Sequence, residues 1–263
     1  METGTPGTRN RFDKMEWAGA FGDMGTLIPF VVAYITIVKV EPLGLLLMFG
    51  IALLVSGLYY RTPLPIQPMK AIGAAAVAGG ISPAALFGSG LTTGLFWLLA
   101  GLTGAIRPIA KLATKPVVRG IMLGLGLSFM VDGVHRMISA PVLAGIALVV
   151  TYLLLTNPKV PAMFMLLVIG IVSAVIMDPN LLAELAKIHV GFKLPVFSLS
   201  SISWSDIVTG TLLFTLPQIP LTLGNAVIAI VAENNELFPD RKVTEKKIAI
   251  SQGIMNLIAP IFG

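Results

Sequence analysis

Three prolines, an amide and an ammonium follow one another closely in Arg61-Thr62-Pro63-Leu64-Pro65-Ile66-Gln67-Pro68-Met69-Lys70, just ahead of a run of small residues. Proline suits the first turn of a helix, where the N–H it lacks has no partner anyway. The spacing predicts a helix from Pro68 through Ala71, Gly73 and the alanines to Ala78, ending near Gly79-Gly80. At 1.5 Å per residue its 12 or so residues span roughly 18 Å, short of a hydrocarbon core of about 30 Å. A half-helix entered from irregular backbone inside a membrane protein is a way to build an ion or anion site. Lys70 sits in its first turn, where the helix dipole disfavours a cation by about 0.3–1 kcal/mol. Backbone N–H groups and an ammonium then converge on one spot, which an anion would satisfy. The plainer reading is that Lys70 snorkels to the membrane surface.

Two further stripes carry polar groups into apolar surroundings. Gly19, Gly22, Asp23 and Thr26 fall at i, i+3, i+4 and i+7, one helical face. Gln218, Thr222 and Asn225 fall at i, i+4 and i+7 on another segment. Helix-to-helix hydrogen bonding, at about 0.6 kcal/mol per contact, accounts for Thr26 and Thr222 as well as ligand binding does. Asp23 asks for more, because a carboxylate at mid-membrane costs about 2.5–3.5 kcal/mol on insertion scales. Catalysis finds little support. With Cys 0, thiol chemistry and zinc–thiolate sites are excluded. His135 and His189 fall in expected external loops without metal-ligand spacing. Gly22-Asp23 has a faint likeness to intramembrane aspartyl proteases, but these need a second membrane aspartate, and Asp132, Asp178 and Asp206 sit at expected segment ends.

The elements that must hold these residues are membrane helices. The hydrophobic fraction is 56%, mean hydropathy is +0.90 and 12% of residues are charged, against about 25% in soluble domains. The reading is an all-α polytopic membrane protein with apolar spans at about 17–38, 43–60, 84–104, 117–131, 139–156, 160–177, 205–232 and 247–262, plus the half-helix at about 68–79. Pro42, Pro83, Pro116, Pro141 and Pro161 stand near segment starts. Residues 178–204 form the longest loop, with a short amphipathic helix within Asn180 to Val190 and β-like character over Lys193 to Ser203. Gly90/Gly94 and Gly120/Gly124/Ser128 repeat every four residues and read as close-packing faces.

Basic residues set the orientation. With the N-terminus cytoplasmic, and the half-helix counted as one crossing, only Lys39, Arg136, Lys187 and Lys193 lie outside. Apart from Lys70 in the membrane, the rest of the 18 Lys+Arg lie inside. No nucleic-acid partner is implied by the net charge of +5, since the bases cluster in a few loops. Segments 17–38 and 205–232 then run in opposite directions, each interrupted by proline (Pro29; Pro217 and Pro220). Paired broken segments are the sequence pointer to an inverted-repeat transporter.

Three motifs in order, Phe21-Gly22-Asp23-Met24-Gly25-Thr26-Leu27-Ile28-Pro29, Pro65-Ile66-Gln67-Pro68-Met69-Lys70-Ala71-Ile72 and Pro217-Gln218-Ile219-Pro220-Leu221-Thr222-Leu223-Gly224-Asn225-Ala226-Val227, resemble the molybdate transporter family, a distant branch of the sulfate permeases. Met24 replaces a commoner leucine. The resemblance runs from about residue 12 onward. It implies a 7+7 inverted-repeat fold with core and gate domains, related to that of the nucleobase transporters and present here only to about the ninth segment. Residues 1–14 would be a cytoplasmic tail, 15–115 the first part of the core, 116–204 the gate with its external loop, and 205–263 the second part of the core. Substrate would lie between the third and tenth segments. The positions carried over by motif are Thr26, Gln67, Met69, Lys70, Gln218, Thr222 and Asn225 for substrate and Asp23 for proton coupling. A purely structural Asp23 remains an equal alternative.

The implied activity is proton-coupled uptake of a tetrahedral oxyanion, molybdate before sulfate, across the cytoplasmic membrane. The bilayer, the oxyanion and a second copy of the chain are the expected partners, and no cofactor is implied, because the molybdenum arrives as the oxyanion. Related sequences continue with a second half-helix, so the chain reads as a fragment ending at Gly263. A sulfate transporter, a channel and a non-transporting membrane subunit are the rival readings.

Overall fold

The computed structural model describes residues 12–73, 81–111, 115–157, 159–187, 191, 193–195 and 197–262. Within them, helix starts follow the sequence signals. Pro42, Pro83 and Pro141 open helices Pro42–Tyr60, Pro83–Thr103 and Pro141–Leu154 in the first turn. The Glu41 carboxylate accepts from Gly44 N–H at 2.9 Å and the Ser82 hydroxyl from Ala85 N–H at 3.1 Å, each meeting a donor the helix leaves orphaned. Pro161 caps Ala162–Met177. Lys14–Val38, Pro42–Tyr60, Pro83–Thr103 and Trp204–Leu237 are long and apolar enough to cross a membrane. Pro141–Leu154 and Ala162–Met177 are apolar but shorter. Lys115–Ser139 and Glu245–Phe262 are more polar helices, carrying charges at or near their starts.

The chain forms two compact units. One comprises residues 11–25 and 126–193. Here Pro141–Leu154 and Ala162–Met177 make a hairpin whose turn is held by Asn157, its side-chain oxygen accepting from Lys159 N–H at 2.9 Å and Val160 N–H at 3.2 Å. Helix Lys14–Gly22 packs on Ala162–Met177, with Phe21 edge-on to Phe164 at 6.2 Å.

The other unit comprises residues 26–125 and 194–263 among those described. Its centre is Pro83–Thr103, sandwiched between Trp204–Leu237 and Glu245–Phe262. Lipid gives no hydrophobic drive between helices, so close approach must be built from small residues. A Cβ on Gly94 would lie 2.8 Å from the Leu257 nitrogen, and one on Gly210 would lie 2.6 Å from the Ala85 carbonyl oxygen. The approach lets a hydroxyl cluster form. Thr215 shares a hydrogen bond with Thr92 at 2.8 Å, accepts from Thr93 at 3.2 Å, and lies 3.1 Å from the Ser89 carbonyl oxygen it donates to. Below it, Tyr60, Trp97, Ile106, Val227, Val231, Val243, Ile248 and Ala249 form the main apolar cluster.

Several expectations change. The prolines do not break their segments. Trp204–Leu237 is helical throughout, with π-wide turns at Thr211–Thr215 and Leu223–Ala229 on either side of Leu216–Thr222, which holds Pro217 and Pro220. A π turn absorbs the missing proline N–H by rerouting a carbonyl's hydrogen bond. Pro29 likewise lies inside helix Met24–Ala33, followed by the π turn Tyr34–Val38, and the interruption in that segment falls at Asp23.

The stretch Lys193 to Ser203 has no strand among its described residues. It ends in the 3₁₀ turn Leu199–Ser201, and Ser198 donates from its backbone to the Ile261 carbonyl and from its hydroxyl to the Pro260 carbonyl. Those helix-end carbonyls compete successfully for donors a strand would need. The surface helix spans Leu181–Ala186; residues 188–190 of that expectation, His189 included, lie outside the described residues. His135 and Asp132 are inside helix Lys115–Ser139, not in a loop or at its end, because a few polar residues do not terminate a helix that meets its stop only before Pro141. Gly90 and Gly94 pack closely as expected, whereas a Cβ on Gly120 or Gly124 meets no atom within 4 Å.

Candidate functional site

Helix Pro42–Tyr60 stops because Arg61 takes a left-handed conformation, φ 55°, while its N–H bonds the Gly57 carbonyl at 3.0 Å. The Arg241 guanidinium, reaching from the loop before Glu245–Phe262, donates to the Arg61 carbonyl. That loop is itself stapled by Asn235, which accepts from Val243 N–H at 2.8 Å and donates to the Val243 carbonyl at 3.0 Å. From Thr62 to Met69 the chain is irregular, as Pro63, Pro65 and Pro68 require by removing donors and by holding each preceding residue out of the helical region.

The helix then begins at Lys70, with Gly73 N–H on the Met69 carbonyl at 2.8 Å. The start is two residues later than the proline signal predicts: Pro68 precedes the cap and Met69 is the cap. Lys70 keeps its first-turn position. The expected stub over 68–79 is visible only to Gly73, its remainder lying outside the described residues.

Three contacts fix this turn. Ile72, 1% exposed, packs with Ala85 and Phe214. Gly73 abuts the Phe30 ring and the Tyr34 hydroxyl so closely that a Cβ would overlap the ring. Ala71 N–H, an orphan donor of the first turn, lies 2.8 Å from the Gln218 side-chain oxygen. Gln218 in turn donates from Nε2 to the Thr222 hydroxyl at 2.9 Å. Gln218 and Thr222 are 3% and 5% exposed. The second and third sequence motifs, 147 residues apart, therefore meet at Ala71.

Thr26 is half-buried in helix Met24–Ala33, and Asn225 is half-buried in the π turn Leu223–Ala229. No hydrogen bond among the described residues joins either to Gln218 or Thr222. Asp23, half-buried, caps helix Lys14–Gly22 and belongs to the unit of residues 11–25 and 126–193, whereas the other candidate positions belong to the second unit.

Gln67, Pro68, Met69 and Ile72 line one wall of a cleft of about 550 Å³, whose other walls come from helices Pro42–Tyr60 and Glu245–Phe262, with Tyr34, Val40, Leu86, Phe87 and Gly90. Its surface is largely apolar, from side chains such as Met48, Phe49, Val55 and Met255. Gln252 and Asn256 add amides to the opposite wall, and Asn256 Nδ2 is buried without a hydrogen-bond partner among the described residues. Sequence reasoning misses these two. Their i, i+4 spacing is the signal that finds Gln218 and Thr222, hidden here because the segment reads as a plain apolar span. No group of three or more His, Cys, Asp or Glu placed to hold a metal occurs among the described residues.

A family model described as "Molybdate transporter of MFS superfamily" matches residues 15–129 and 210–263. The chain belongs to this molybdate transporter family. The matched blocks contain Asp23, Thr26, the Gln67–Lys70 motif and the Gln218–Asn225 motif. Molybdate transporter 2 of Arabidopsis thaliana is 28% identical over 94% of the chain and 63% of its own length. Molybdate transporter 1 of the same plant is 29% identical over 93% and 63%, and Molybdate transporter 1 of Chlamydomonas reinhardtii is 32% identical over 48% and 25%. This family member thus spans less than two thirds of the length of these curated relatives. No solved structure matches it. As a member of a transporter family with several apolar helices it is an integral membrane protein.

Proposed function

We propose that this chain carries out, or forms the larger part of a protein that carries out, secondary active uptake of molybdate across the cytoplasmic membrane. The observation behind this reading is the junction at Ala71: in the family-matched blocks, the Lys70 turn and the Gln218–Thr222 pair meet inside one compact unit. A tetrahedral dianion brought to that junction would meet the Lys70 ammonium, N–H groups after Gln67 such as that of Met69, and the polar side chains of Gln67, Thr222, Asn225 and Thr26, while Ala71 N–H and Gln218 bond each other behind it. Charge-assisted hydrogen bonds of this kind are about twice as strong as neutral ones.

The fuller form of the proposal follows the resemblance. Residues 15–115 and 205–263 would act as core, and residues 116–204 as the gate with its external loop. The N-terminus would be cytoplasmic, and the architecture would be the inverted repeat shared with sulfate permeases and nucleobase carriers. Asp23 would couple a proton, since protonation removes a charge that repels the dianion. Sulfate is the nearest alternative substrate. A channel or a non-transporting membrane subunit is the second reading. Radiolabelled molybdate uptake by proteoliposomes, with sulfate as competitor, tests the proposal. Saturable uptake inhibited by excess molybdate supports it, and a flux that rises linearly with concentration would exclude a carrier. Copurification with a second polypeptide needed for uptake would favour the subunit.

A further inference from the structure

Gln218 has a definite orientation. Ala71 N–H is a pure donor, so the amide atom facing it at 2.8 Å must be the oxygen Oε1. The other end is then the NH₂ group, a donor, and the Thr222 hydroxyl at 2.9 Å must accept from it. A hydroxyl that accepts from Gln218 keeps its own proton pointing elsewhere. The chain of constraint runs from a backbone N–H, through a buried amide, to the direction of one threonine proton.

We propose that Gln218 is a positioning residue of the oxyanion site and not a ligand: it pins the first turn of the Lys70 segment through Ala71 and sets Thr222 as a hydroxyl donor toward the oxyanion. The assignment rests on the oxyanion reading above. It separates two side chains that the sequence motif presents as equivalent. Gln218 commits Oε1 and one Nε2 hydrogen to protein, which leaves a single hydrogen of its amide to offer a solute. Thr222, one helical turn on, accepts a single hydrogen bond and retains a donor. The π turns at Thr211–Thr215 and Leu223–Ala229 flank this pair. Thr215 is anchored to Thr92, Thr93 and the Ser89 carbonyl, so the helix that carries the pair is held against Pro83–Thr103.

Four variants test the assignment in the purified chain, reconstituted in lipid, by amide hydrogen exchange at Ala71 and equilibrium binding of radiolabelled molybdate. Q218A is expected to speed Ala71 exchange at least about tenfold, as loss of a protecting partner does, and to weaken binding. Q218E retains an acceptor for Ala71 and should keep that amide protected. Its second carboxylate oxygen captures the Thr222 proton and adds negative charge, so molybdate binding is expected to disappear. T222V should weaken binding about tenfold or more, the effect of losing a hydrogen bond to a charged ligand. T222S should bind within about threefold of the parent, since it keeps the hydroxyl. Unchanged Ala71 exchange in Q218A would overturn the clamp, and undiminished binding in T222V would overturn the donor role. A parent chain that binds no molybdate would instead overturn the oxyanion reading and the donor role with it, while Ala71 exchange in Q218A still decides the clamp.

Discussion

The helix that carries Gln218 and Thr222 is held in place by glycine, and Gly210→Ala tests how tightly. A Cβ on Gly210 would lie 2.6 Å from the Ala85 carbonyl oxygen and 2.7 Å from the Ser89 nitrogen. Both are backbone atoms of the central helix, so no side chain can swing aside and the two helices must separate. Overpacking of this kind typically costs about 1–3 kcal/mol. Against it stands the intrinsic preference of a helix for alanine over glycine, about 1 kcal/mol. Gly120→Ala is the control, because a Cβ there meets nothing within 4 Å and only the gain remains. The preference term is common to both substitutions, so the pair should differ by about 1–3 kcal/mol. At roughly 2–4 °C per kcal/mol for a chain near this size, the difference between the two midpoints is about 2–12 °C. Thermal unfolding of the purified protein in detergent measures it, with the Gly120→Ala midpoint at or above that of the parent. The separation must also reach the site: Gln218 lies eight residues further along, about 12 Å at 1.5 Å per residue, so Gly210→Ala should raise exchange at Ala71 as well. Gly210→Ala as stable as Gly120→Ala would refute the packing argument.

Other outcomes follow from the same geometry. Thr215→Val removes the hydroxyl shared by Thr92, Thr93 and the Ser89 carbonyl, and should lower stability by about 1–2 kcal/mol, seen as a lower thermal midpoint. Asn235→Ala frees the loop stapled at Val243 and should speed tryptic cleavage after Arg241 or Lys242 several-fold, leaving the helices intact by circular dichroism. Asp23→Asn should flatten the pH dependence of molybdate uptake and strengthen binding at high pH; an unchanged pH profile would make Asp23 a structural cap.

The helix list was legible because its signals are local. A proline in the first turn, a capping Glu41 or Ser82 and an apolar run each act within a few residues, and the starts at Pro42, Pro83 and Pro141 follow from them. The same local logic overreaches where a neighbour decides. Pro217 and Pro220 look like breaks in one dimension, but the buried seam against Pro83–Thr103 keeps the helix going through π turns. Lys193 to Ser203 looks like a strand until Ser198 finds the carbonyls of Pro260 and Ile261. Of the candidate site, the residue types and their stripes were readable. The bond from Ala71 to Gln218 was not, since no periodicity encodes a contact between residues 147 apart. Gln252 and Asn256 escape a sequence reading because the cleft that makes their spacing matter exists only once segments distant in sequence are brought together.

An oxyanion held at the Lys70 turn is the premise on which the functional reading stands. Equilibrium binding of radiolabelled molybdate to reconstituted parent and Lys70→Ala proteins puts it to the test. Saturable binding is expected of the parent, displaced by sulfate at higher concentration than by molybdate. The variant is expected to lose at least about tenfold in affinity, as for removal of a charged hydrogen-bond partner. A Lys70→Ala protein that binds molybdate as tightly as the parent would contradict it.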